Sequence, residues 1–480
     1  MSLLATALTV VAIVTQDQAA LRAAPRESAV QQAVLWQGDS LEIRATKGDY
    51  LQVYDHRRER AGYIRASQVR QQTLQPENAP ELLAVVRFLR DTPGAEALGI
   101  GYAAAYLKAA PADAINAEVF DALGTFAERL AKRATVRQGK TPDTSVAAHL
   151  EVAAAYGVRM LSFERDEQLQ LCYNGDAFRR VLALPASDQQ KAQAALALTR
   201  HDCVAPALTP TERLAVDHWR AEVLDRVETT RLPEVLKNRL HLRRAGVWAS
   251  LAWQRARRSE AGAGPVTAAG KRAVDELAAI NRSELAETDA ATYSDAAIRV
   301  GASRWAAEPP AGTMPSATAP SSLGIATSPG QPGETCVHLV DSRHDAKHAL
   351  LTRCTYGIVW TASAAAHPQG TALALAVQPL DGWREMWVFR QEPTGWKVDV
   401  VPPATVQPTL GYVEFAGWVP GSGQMLTARE AKVDGRYKLS FELLNPSTLE
   451  IDRWADKPAS LSAFQRWQAP AWKARTVSIR

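Results

Sequence analysis

Cysteine is scarce, with four residues in 480, and no two stand in C-x-x-C spacing. That excludes a zinc ribbon and a thioredoxin-type redox site. Charge of one sign is also lacking. The net charge is +4, and basic residues are mixed with acidic ones, as in Asp55-His56-Arg57-Arg58-Glu59-Arg60. No basic stripe tracks a phosphate backbone, so nucleic acid is not an expected partner. The first apolar run, Leu3 to Val14, is shorter than the roughly 20 residues that span a bilayer. Its length suits the core of a signal peptide, and residues 1–15 are read as one. No Lys or Arg precedes the run and no small-x-small site follows it, so the competing reading is a buried N-terminal strand or helix. No later segment reads as transmembrane, which leaves no membrane anchor once the signal is cleaved. Catalytic signatures are missing as well: there is no H-E-x-x-H, G-x-S-x-G, G-x-x-x-x-G-K-[ST] or G-x-G-x-x-G. Gly99-Ile100-Gly101 reads as a packing or turn feature. No catalytic residue, metal ligand or cofactor is assigned, and the chain is read as non-enzymatic.

What is present points to several domains, because 480 residues exceed a single core. Residues 16–72 alternate apolar and polar in short stretches, Leu41-Glu42-Ile43-Arg44 and Tyr50-Leu51-Gln52-Val53-Tyr54 among them. Turn residues separate these at Gly38-Asp39 and Lys47-Gly48-Asp49. Several short strands in so few residues imply a small barrel. From 78 to 305 apolar residues recur at helical spacing, broken by Thr92-Pro93-Gly94, Lys140-Thr141-Pro142-Asp143 and similar stops. Ser187 and Thr209 are expected N-caps, the latter ahead of Pro210 and Glu212. This part is read as one multi-helix domain, solenoid-like in outline. Residues 306–334, rich in Pro, Gly and Ser, read as a disordered linker. From 335 to 480 the pattern is β again. The fold class is therefore α+β and multi-domain. The cysteines fall in two near pairs, Cys172 with Cys203 and Cys336 with Cys354, which fits two disulfides in an oxidising compartment.

Four stretches carry a resemblance. They are Ala20-Leu21-Arg22-Ala23-Ala24-Pro25, Leu35 to Ile43, Gly48-Asp49-Tyr50-Leu51-Gln52-Val53 and Gly62-Tyr63-Ile64. In order and spacing they resemble a bacterial SH3 domain. The resemblance implies an SH3-like barrel over 16–72, a periplasmic location, and contact with cell-wall peptide or use as a targeting module. The C-terminal part resembles bacterial β-propeller repeats, with His367-Pro368-Gln369-Gly370 and Val419-Pro420-Gly421-Ser422 each leading into a strand at an offset near fifty residues. About three blades fit where a closed propeller needs at least four, so stacked meanders or a partial propeller are expected.

Candidate binding residues lie on the N-terminal strands. Trp36, Tyr54 and Tyr63 each have a flat face and a polar tip suited to a shallow peptide groove. Arg57 and Arg58 lie on a loop and suit the carboxylates of a peptide. Tyr63, with Tyr50, equally suits the small core. The late tryptophans read as sheet caps and core. His338, His344, Asp345 and His348 form the one metal-like cluster, in a polar segment that reads as a solvated loop. The leading function is a periplasmic binding or scaffold protein whose partner is peptidoglycan peptide or an envelope protein. The alternatives are an envelope hydrolase with metal near His338–His348, and a structural component of an envelope complex.

Overall fold

The computed structural model describes residues 10–137, 144–165, 168–258, 264–308, 323–405, 409–470 and 472. The chain is mixed α+β and divides into two compact units. One comprises 1–208 with 227–231, and the other 209–226 with 232–480.

The first unit opens with a seven-stranded antiparallel sheet: β1 (Val10–Val14), β2 (Ala19–Arg22), β3 (Gln31–Leu35), β4 (Ser40–Lys47), β5 (Tyr50–Asp55), β6 (Arg60–Arg65) and β7 (Val69–Thr73). The order is β3-β2-β6-β5-β4-β1-β7. The β4–β5 hairpin turns at Gly48, whose φ of 59° suits a two-residue loop. Alternation sends Leu51 and Val53 inward, where they join Ala12, Leu21, Leu35, Leu41 and Ile64. Two expectations change here. Among the described residues the end strands β3 and β7 do not pair with each other, so the ladder is open. And Val10–Val14, expected as leader, is a strand between β4 and β7 with Ala12, Ile13 and Val14 buried. A cut after residue 15 would remove it.

Six helices follow in this unit: α1 (Ala79–Arg90), α2 (Glu96–Ala109), α3 (Ala117–Ala134), α4 (Thr144–Ala155), α5 (Asp176–Ala183) and α6 (Asp188–Leu198). They bury one apolar cluster that includes Leu82, Ile100, Phe126, Leu130 and Phe178. Gly99 faces the Phe126 ring so closely that a Cβ would lie 2.4 Å from it. Ser187 caps α6 through a capping box, as expected. A small sheet of β8 (Val136–Arg137), β9 (Met160–Arg165) and β10 (Gln168–Tyr173) completes the unit. Cys172 on β10 is bonded to Cys203. A bridge closing a loop of about thirty residues typically stabilises by roughly 2–4 kcal/mol.

The second unit starts with α7 (Pro210–Asp225), α8 (Glu234–Arg257), α9 (Gly264–Ala278) and α10 (Ala290–Ser303). Thr209 caps α7 with a second capping box. The helical run from 78 to 305 is thus shared between the units, and α8–α10 pack with the C-terminal sheets. Within the expected linker, residues 309–322 lie outside the described residues. Beyond them β11 (Gly324–Pro329) pairs with β12 (Thr335–Val340), which pairs with β13 (Leu351–Thr355). Pro329-Gly330-Gln331-Pro332-Gly333 is therefore a hairpin turn rather than a tether.

The last eight strands are β14 (Ile358–Ala366), β15 (Ala372–Leu380), β16 (Trp383–Glu392), β17 (Gly395–Val401), β18 (Gly411–Trp418), β19 (Met425–Val433), β20 (Arg436–Leu444) and β21 (Ile451–Ala455). A short helix, α11 (Ser462–Trp467), follows. These strands form one sheet in which β16 pairs with β15, β17 and, in parallel over two residues, β18. The two segments of the repeat lead into β15-β16-β17 and β19-β20-β21, in two antiparallel meanders joined by that short parallel pairing, and among the described residues no closed propeller forms. Trp383 and Trp387 are core, as expected of these tryptophans, whereas Trp454 is 69% exposed.

Where β16 meets β18, Glu414 is 2% exposed and takes both Arg304, just after α10, and Arg384 of β16. Burial alone would raise its pKa, but the two guanidinium groups outweigh burial and hold it below the usual range. Removing one member of such a group strands a buried charge. Glu414→Ala is expected to destabilise the second unit by about 3–5 kcal/mol, read by denaturant unfolding.

Glu430 is also buried, and its recorded partner is the Tyr412 hydroxyl, which donates to it at 3.0 Å. Burial pushes its carboxyl up to about 7 from an ordinary 4.5. The folded form holds this proton more tightly than the unfolded chain. The associated stability is therefore complete below the ordinary value and is lost as pH rises to about 7. The loss is on the order of 3 kcal/mol. Glu430→Gln should flatten the fall in unfolding midpoint between pH 4.5 and 7 and leave the variant more stable than wild type at pH 8.

Candidate functional site

A cleft of about 820 Å³ lies between the seven-stranded sheet and helices α2 and α4. Val10 and Val11 of β1, Leu41 and Ile43 of β4, Leu74 and Val152 give it an apolar wall. Asp39, Glu42, Asp55, His56 and Arg57 line it from the sheet and its loops, and Lys108 and Tyr156 line it from the helix side.

Two tight turns shape the polar part. In the first, the Asp39 carboxylate accepts the Trp36 N–H at 3.0 Å, and Gly38 takes a φ of 88°. A side chain at Gly38 would strike the Ala97 carbonyl of α2 at 2.3 Å. Gly101, one helical turn on, faces Gly38 with equally little room, which accounts for the second glycine of Gly99-Ile100-Gly101. The Tyr156 hydroxyl donates to the Gly38 carbonyl at 2.6 Å. Burial first, and the Asp39 charge second, push the pKa of that hydroxyl well up.

In the second turn, Asp55 accepts the backbone N–H groups of Arg57 and Arg58 at 3.0 and 3.3 Å. The same carboxylate binds the Arg58 guanidinium at 2.7 Å. Asp39 takes Arg57 and Arg58, each at 3.4 Å, and Arg57 continues to Glu151 at 2.9 Å. Burial alone would lower the Arg58 pKa, but bonding to Asp55 and the charge of Asp39 raise it above the ordinary value. The two arginines expected to meet a peptide's carboxylates are therefore held by carboxylates of this chain. Asp39 is 5% and Asp55 1% exposed, so these arginines supply the partners that two buried carboxylates need.

Tyr54 stands beside this cleft. Arg44, at a β-bulge in β4, covers its ring at 4.4 Å, and the His56 ring meets it edge-on at 4.9 Å. His56 binds Glu42 at 2.6 Å, and this bond, ahead of Arg44, holds the Glu42 carboxyl below the usual range. Trp36 and Tyr63 are half-buried and do not line the cleft. Trp36 meets the buried His149 edge-on at 6.3 Å, and His149 binds Asp17 at 2.8 Å. Tyr63 lies mid-strand opposite Gln52 and Arg22. The structure thus brings Arg57, with Arg58 behind it, to one cavity with Tyr54 at its edge. It adds Glu42, His56, Lys108 and Tyr156, for which the sequence holds no local signal: the last two come from helices 50 to 100 residues away.

The histidine cluster does not converge. His338 bonds Ser328 at 2.8 Å and Thr352 at 2.9 Å. His344 pairs with Asp341 and His348 with Asp345, and each aspartate also accepts two backbone N–H groups of its own turn. These carboxylates are turn caps.

Asp39→Ala should leave both arginines short of a partner and the Trp36 turn uncapped. The expected loss is about 2–3 kcal/mol of stability in the first unit, with a shift in Trp36 fluorescence, both read in the same urea titration. No protein-family model, curated protein or solved structure matches this chain.

Proposed function

We propose that the chain is a non-enzymatic binding or scaffold protein of the bacterial periplasm, and that its N-terminal sheet, an SH3-like module, contacts cell-wall peptide in the cleft. The cleft's composition carries the reading: an apolar wall for short side chains beside charges of both signs. Lys108 is exposed and takes part in no ion pair among the described residues, so it is open to a carboxylate. The Glu42–His56 pair offers an acceptor to an amine. A peptide that carries free carboxylates and an amine among small apolar side chains matches this pattern. The SH3-like reading is supported by the sheet's core, to which all seven strands contribute. Two disulfides fit an oxidising compartment. No helix among the described residues is long and apolar enough to cross a membrane.

Co-sedimentation of the purified chain with isolated peptidoglycan tests the reading. Wild type should pellet with the wall. Lys108→Glu, a surface change that disturbs no recorded contact, should weaken pelleting about tenfold or more, as replacing a charged contact by repulsion does. Trp36→Ala, away from the cleft, should pellet like wild type once shown to be folded. A folded wild type that stays in the supernatant would remove wall peptide as the ligand and leave an envelope protein as the partner.

A further inference from the structure

The two disulfides sit in different surroundings. Cys172 is 1% exposed, whereas Cys354 is exposed and Cys336 half-buried. Cys336 and Cys354 are opposite residues of β12 and β13. Val337 and Leu339 of β12 are fully buried in the core. Alternation along the strand therefore puts Cys336 and His338 on the outer face, with Cys354 across from the first and Thr352 from the second. At the entrance to β12 the Glu334 carboxylate comes within 4.8 Å of both sulfurs. The hairpin turn holds it there, since Oε2 accepts the Gln331 N–H at 3.0 Å. A Cβ on Gly330 would lie 2.5 Å from that oxygen and 3.0 Å from the Cys336 sulfur, so the bare glycine lets the carboxylate sit close over the disulfide. Among the described residues this is the one group of three such ligands packed so closely.

We infer that Cys336, Cys354 and Glu334 form a redox-gated site for a thiophilic divalent cation such as Zn²⁺, closed as the disulfide and opened by a thiol reductant. Two reductant thiols supply two electrons and two protons and leave as their own disulfide. The S–S bond breaks and both cysteines become thiols. On binding, each thiol releases its proton to water and its sulfur bonds the cation, with Glu334 as third ligand. Two thiolates select a soft or borderline metal over Mg²⁺ or Ca²⁺. Cys354 is exposed, so a reductant can reach its sulfur, and exchange depends on access. The site is independent of the cleft.

The test uses the full chain, reduced with a phosphine, freed of reductant without oxygen and titrated with Co²⁺. Thiolate ligation appears as a charge-transfer band in the near ultraviolet, and tetrahedral geometry as visible bands. Reduced wild type should bind one equivalent and the oxidised protein none. Cys336→Ser/Cys354→Ser should show no band after the same reduction, and Glu334→Gln should bind at least tenfold more weakly. Should the double variant fail to fold, reduced wild type capped with iodoacetamide replaces it. Mass mapping should then find Cys336 and Cys354 capped before Cys172 and Cys203, and the band should be lost. A reduced wild type without the band, or a band that survives loss or capping of these two cysteines, overturns the proposal.

Discussion

Among the described residues, four carboxylates that are almost wholly buried are each shared between two arginines. Asp39 takes Arg57 and Arg58, Glu96 takes Arg129 and Arg133, Asp217 takes Arg213 and Arg220, and Glu414 takes Arg304 and Arg384. Each carboxylate is between 0 and 5% exposed. Such a group is tolerable only when complete, because desolvation falls on every member. Three of the four join separate elements: α2 to α3 through Glu96, two turns of the sheet through Asp39, and β16 and β18 to the end of α10 through Glu414. Hydrophobic contact would let these elements slide over one another. A shared carboxylate fixes them at one setting, and the rest of each unit packs around it.

This has a direct effect on what the cleft can recognise. Arg57 in its lining and Arg58 behind it are committed to carboxylates of this chain, so they shape the wall instead of supplying free charge. The groups left to meet a ligand are more modest: Lys108 on one side, and the Glu42–His56 pair beside Tyr54 on the other. A ligand of the kind proposed would rest on apolar fit along Val10, Leu41 and Val152, with charge setting direction. Specificity of this kind tolerates variation in the ligand's length more readily than in its polarity.

How much of this was legible in sequence follows from range. The α+β class, the capping boxes at Ser187 and Thr209, and the two cysteine pairs rest on residues near one another in sequence or on simple counting, and each could be read. The arginines at 57 and 58 read as open to a peptide's carboxylates because their partner Asp39 lies almost twenty residues back, on a different turn. Lys108 and Tyr156 reach the cleft only through the packing of α2 and α4. The Pro- and Gly-rich stretch after 323 read as a tether because composition cannot see that β12 offers it a partner. Val10–Val14 read as a leader for the same reason: an apolar run carries no mark of the strands that will flank it.

That first strand has a consequence for synthesis. Val11 pairs with Glu42 on one side and Gln72 on the other. Among the described strands of this sheet the earliest made is therefore among the last to be satisfied, because its second neighbour, β7, is the last of the seven in sequence. During that interval a run of valine, alanine and isoleucine stands with open hydrogen-bonding edges.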